Sequence, residues 1–156
     1  MKIKTRCKET KAIIKQGVEM FAEYFDCDLS DITIDCRTSE ARSLPKGAGG
    51  VAYGKTITMR PLGDKIVTED NFVNTVVHEL IHIYQDKSGD FEGWDEVNDY
   101  RNKAIEIHAY DAADYIVAAA KVKRGEISQE MFDRCFCVKM LTAERAKEKS
   151  LKKRAA

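Results

Sequence analysis

Residues 76–85 read Val76-Val77-His78-Glu79-Leu80-Ile81-His82-Ile83-Tyr84-Gln85. Val73, Val76, Val77, Leu80 and Tyr84 recur at helical spacing, so the stretch predicts an amphipathic helix from a cap at Thr68 or Asp70 to about Gln85. Within it, His78 to His82 spell H-E-x-x-H. Four residues advance a helix by about 6 Å and turn it by roughly 400°. The two imidazoles therefore share a face, one turn apart, and both can reach one zinc ion at about 2.0–2.1 Å. Glu79 projects roughly 100° away from His78, a direction suited to the ion's water and thus to a general base. The apolar stripe anchors the helix, while His78 and His82, with Thr75 and Gln85, face a cleft. The alternative is a helix that carries two surface histidines; against it, two of the chain's three histidines fall in this motif.

Upstream, residues 8–25 place Ile14, Val18, Phe21, Ala22 and Phe25 on one stripe and predict a helix. In residues 31–36, Ile32, Ile34 and Cys36 alternate with Asp31, Thr33 and Asp35, the period of a half-buried strand. A Gly-, Ser- and Pro-rich loop follows over 38–50. Residues 51–59 predict a second strand with Val51, Tyr53, Ile57 and Met59 on one side, ended by Pro61. Downstream of the motif come a loop over 86–96, a helix over about 99–121 and a last helix capped by Ser128. The expected fold is α+β: a small antiparallel or mixed sheet packed on helices, with a C-terminal helix. Residues 1–142 are expected to form one domain, and 143–156 a charged helix end or tail.

A catalytic zinc needs a third protein ligand and an open position. On the helix after the motif, Ile105, Ala109, Ala112, Ala113 and Ile116 form an apolar arc, and Glu106 lies about 60° from Ala109 on the helical wheel. A carboxylate within such an arc is costly unless compensated, which a cation would do. Ala109 and Ala113 are small enough to let this helix approach the motif helix. The rival third ligand is His108, which lies on the polar side near Arg101, Asp111 and Tyr115, where a solvated histidine is expected. A donor role toward a developing oxyanion is open to His108 and to Tyr110, one turn beyond Glu106; for Tyr110 the alternative is simple packing. Asp95, Glu96 and Asp99 read as a solvated acidic stretch before the helix.

The chain has 156 residues and no formal net charge, so no global field draws it to nucleic acid or anionic lipid. No apolar run reaches membrane-spanning length, and the basic N-terminus has no apolar segment behind it. The five cysteines, Cys7, Cys27, Cys36, Cys135 and Cys137, include no C-x-x-C pair and are expected to be buried or half-buried thiols of a reducing cytoplasm, a host's if the chain is of phage origin.

The segment His78–His82, followed by Glu106-Ile107-His108-Ala109-Tyr110, resembles the zincin metallopeptidases. Within them it is similar to the gluzincins, whose third ligand is a glutamate on a later helix, and most of all to compact zincin-like domains of bacterial and phage genomes. The resemblance covers Gly50 to Tyr115. It implies a minimal zincin-like fold, His78, His82 and Glu106 on Zn2+, Glu79 as base and a peptide or protein substrate. It also implies a strand before the motif helix that forms the upper rim of the cleft and pairs with extended substrate; Lys55 to Arg60 occupies that place. Other readings stay open at this point. One is a zincin-fold binding module without turnover. Another is a SprT-like protease with His108 as third ligand. A third is a structural zinc site closed by both Glu106 and His108. The last is nucleic-acid binding through Arg145 to Arg154, where interspersed acids make a frayed helix end the plainer expectation.

Overall fold

The computed structural model describes residues 1–63, 68–89 and 104–135. In chain order the elements are β1 (Lys2–Lys4), α1 (Lys8–Ala22), β2 (Thr33–Asp35), α2 (Thr38–Ala41), β3 (Gly50–Tyr53), β4 (Thr56–Met59), α3 (Glu69–Ser88) and α4 (Ala104–Lys123). A further helix runs from residue 129 through 135, with the Ser128 hydroxyl accepting from Met131 N at 3.1 Å as its cap. The fold is α+β, and the four-stranded sheet is mixed, in the order β1-β2-β4-β3. β1, β2 and β4 run parallel, and β3 returns antiparallel to β4. The pairings Ile3↔Ile34, Ile34↔Ile57 and Ala52↔Ile57 set an apolar row across all four strands. Ile34 and Ile57 are fully buried in a core shared with the helices.

Residues 51–59 are not one strand but a hairpin. Gly54 and Lys55 form its two-residue loop, with positive φ at Gly54 alone. Cross-strand partners share a face, so the faces differ from those expected. Ala52 and Ile57 point inward together, whereas Val51 and Tyr53 are exposed. The hairpin also makes β3 the sheet's outer strand and places β4, residues 56–59, inside it. Residues 55–60, anticipated as the rim, do not line the cleft; Gly50, Val51 and Ala52 of β3 do.

α1 buries Thr10, Ile14, Gly17, Met20 and Phe21. Its buried face is thus rotated from the expected stripe: Val18 is half-buried and Ala22 exposed. The reason is Gly17, where a Cβ would lie 2.6 Å from Val76 Cγ1, so α1 and α3 cross there at close range. Asp35, expected on a solvent face, is buried because Arg37 folds over it, with Nε at 2.9 Å and Nη2 at 2.7 Å from its oxygens. α3 is capped by the Thr68 hydroxyl, which accepts from Asn71 N at 3.3 Å. It ends at Gly89, whose φ of 66° is left-handed. α4 lies along α3 and brings the fully buried Ala109, Ala112 and Ala113 into the core. Asn74 Nδ2 donates to Asp114 across this helix pair at 2.9 Å.

Cys36 is buried and Cys27 half-buried, but Cys7 and Cys135 are exposed, against expectation. Cys7 stands outside the core because its sulfur caps α1, accepting from Thr10 N. No helix among the described residues is long and apolar enough to cross a membrane. Cys137, Arg101, the acidic residues Asp95, Glu96 and Asp99, and the tail 143–156 lie outside the described residues.

Candidate metal centre

Three groups from two helices converge. α3 presents His78 and His82 one turn apart, and α4 presents Glu106. His78 Nε2 and His82 Nε2 are 3.1 Å apart. Each lies 3.4 Å from Glu106 Oε2. Ligand atoms bound tetrahedrally at about 2.0–2.1 Å stand about 3.3–3.4 Å from one another, so the two spacings to Glu106 match edges of a zinc tetrahedron and the 3.1 Å between the imidazoles is slightly shorter than one. Glu106 is only 6% exposed, and its Oε2 makes no hydrogen bond among the described residues. A buried oxygen in that state is costly unless a cation satisfies it. Two imidazole nitrogens and a carboxylate form a donor set that suits zinc. The residues present therefore fit the ion in both spacing and chemistry.

Electrostatics agree with the geometry. Burial alone would raise the Glu106 pKa, but the His78 and His82 side chains outweigh it and hold the carboxyl down at about 2. Burial lowers that of His82, and the Glu106 carboxylate, together with Glu79 and Gln85, more than reverses this, leaving it above the ordinary imidazole value. Glu79 behaves oppositely: burial pushes its pKa up, only partly countered by the two histidines. A raised carboxyl pKa favours proton acceptance near neutral pH.

Glu79 owes its position to β3. A Cβ on Gly50 would stand 3.1 Å from Glu79 Cγ and 3.2 Å from Oε1, so a side chain here would push the Glu79 carboxylate aside, and glycine lets the strand run this close to α3. Two residues on, the Ala52 backbone N–H lies on the Glu79 side of β3 and favours the ionised form of its carboxyl, against the larger effect of burial. His78, Glu79, His82, Glu106 and Tyr110 together line a cleft of roughly 730 Å³, whose opposite wall is the stretch from Pro45 to Ala52. Tyr110 is half exposed there, its ring centroid 4.3 Å from that of His78.

His108 is neither in the cluster nor at the cleft wall. It is buried rather than solvated, because α3 covers that side of α4 with Gln85, whose Nε2 lies 3.0 Å from His108 Nδ1. The same Gln85 holds His82, with Oε1 2.7 Å from His82 Nδ1. Gln85, expected on the cleft face, is instead buried between the helices and does not line the cleft; Gly50 and Ala52 are the residues beside the site that motif reading passes over. The Gly49-Gly50 pair before a strand was the one sequence signal for the β3 approach, since glycine marks a close backbone approach.

No protein-family model matches this chain, and neither a curated protein nor a solved structure matches it.

Proposed function

We propose that the protein is a zinc-dependent hydrolase of peptide bonds, a minimal zincin-like domain in which His78, His82 and Glu106 hold the ion and Glu79 is the general base. The observation that carries this reading is the convergence of His78 Nε2, His82 Nε2 and Glu106 Oε2 within 3.1–3.4 Å, with a second buried carboxylate, Glu79, beside them in an open cleft. An ion held there supplies Lewis acidity toward a carbonyl and a water acidified to a pKa of about 7. Glu79, with its raised pKa, takes a proton from the attacking water and delivers it to the leaving nitrogen. Tyr110 donates its hydroxyl hydrogen toward the carbonyl oxygen as charge develops there. The outer edge of β3 receives the substrate backbone in extended form, alongside the glycines that keep this wall low. Four unpaired cysteines among the described residues suit a reducing compartment such as the cytoplasm.

The test joins metal content to turnover. Elemental analysis is expected to find one zinc per chain, and a mixed peptide library to be cleaved. Glu79→Gln is expected to keep the zinc and to lose about 10²–10⁴-fold in rate, the usual range for a general base. A parent that takes up no zinc, or a Glu79→Gln variant that cleaves as fast as the parent, sinks the proposal.

A further inference from the structure

The amide of Gln85 sits between two helices with three partners. Its Nε2 is 2.9 Å from the backbone carbonyl of Ile105 and 3.0 Å from His108 Nδ1. Its Oε1 is 2.7 Å from His82 Nδ1. A carbonyl oxygen can only accept, so the atom facing Ile105 must be the amide nitrogen. Oε1 then faces His82, and an oxygen that can only accept requires a proton on His82 Nδ1. His82 Nε2, which faces His78 and Glu106, is left with its lone pair for a cation. The second amide hydrogen points to His108 Nδ1, which must accept and so carries no proton. Gln85 is 2% exposed and His108 8%, so solvent does not compete for these bonds.

From this one-way chain we infer that Gln85 and His108 are positioning residues that lock His82 in the Nδ1-protonated tautomer, with His108 acting across the helix pair as the acceptor that orients the glutamine. The inference rests on the metal centre proposed above for its functional meaning, but not for its geometry. Imidazole ligands are commonly held by their second nitrogen, and loss of that partner weakens metal binding. Here the partner is a neutral amide, itself held by an imidazole that was expected to be a ligand or a solvated surface group.

Two readouts separate the lock from the centre. In the metal-free parent at alkaline pH, where the ring is neutral, nitrogen NMR is expected to show His82 protonated on Nδ1. In Gln85→Leu that preference is lost, and zinc affinity in competition with a chelator falls by about 10–100-fold. His108→Leu shifts both readouts the same way, whereas His108→Asn, whose amide oxygen overlays Nδ1, restores them. A parent with the locked tautomer but no zinc uptake keeps this inference and removes the hydrolase reading. A folded Gln85→Leu with parental tautomer and affinity overturns the inference. So does a His108→Asn that is as impaired as His108→Leu.

Discussion

Replacing Glu106 by alanine removes one of the three proposed ligands while leaving both imidazoles in place, and its effect can be sized. A ligand that binds only the folded state at a free concentration 100 times its Kd stabilises it by about 2.7 kcal/mol. Unfolding entropy near 60 °C is about 2.1 cal/mol/K per residue, or about 330 cal/mol/K for 156 residues. Zinc at that concentration should therefore raise the parent's Tm by about 8 °C. Loss of a direct ligand should weaken binding at least as much as loss of an outer partner, roughly 100-fold at its upper end. The same zinc concentration then only equals the variant's Kd and contributes about 0.4 kcal/mol, a shift of about 1 °C. Differential scanning calorimetry with and without zinc measures both. Glu79→Gln and His108→Asn serve as controls that retain most of the parental shift. A Glu106→Ala variant that still gains about 8 °C would refute the assignment of Glu106 as a ligand.

Gly50→Ala should retain zinc and most of its stability yet lose turnover by up to about 100-fold, because the new methyl displaces the Glu79 carboxylate by a fraction of an ångström; unchanged kcat would show that the close approach is immaterial. Gly17→Ala adds helix propensity but drives a methyl into Val76, so a net loss of about 1–3 kcal/mol is expected in denaturant titration, and a gain in stability would contradict the crossing described. Asp35→Asn should cost about 1–2 kcal/mol at neutral pH through weakened Arg37 bonds. Arg37 holds the Asp35 pKa below the ordinary 3.8, so the native carboxylate contributes its stability above that pH and loses it as pH falls through the lower, folded value. The gap between parent and variant should therefore close in acid; a gap that persists would assign the cost to packing.

The motif helix was legible because three signals coincide in it: the apolar period, a capping threonine and the paired imidazoles. Glu106 was legible for a related reason, as a carboxylate set in an arc of small apolar residues needs a partner. The hairpin was not, since alternation over nine residues reads alike for one strand and for two joined at a two-residue loop. Gly54 was the only mark of the turn, and missing it inverted the faces of Val51 and Tyr53 and misplaced the cleft rim. β1 has three residues, Lys2-Ile3-Lys4, too few to show a period, and its place is set by pairing with β2. The burial of His108 depends on a glutamine one helix away, and that of Asp35 on an arginine folding back over it. Neither is a property of the local pattern.

Among the described residues, α3 from Val76 to Gln85 is buried at every position except His82, which is half-buried. Such a helix cannot swivel to admit or discharge a cation from behind. Were the proposed ion to bind, its traffic would thereby be confined to the side on which the cleft opens, the doorway through which the proposed peptide substrate would also arrive. An occupied cleft should act as a stopper, so that stripping of zinc by a chelator slows when an uncleavable peptide is seated there.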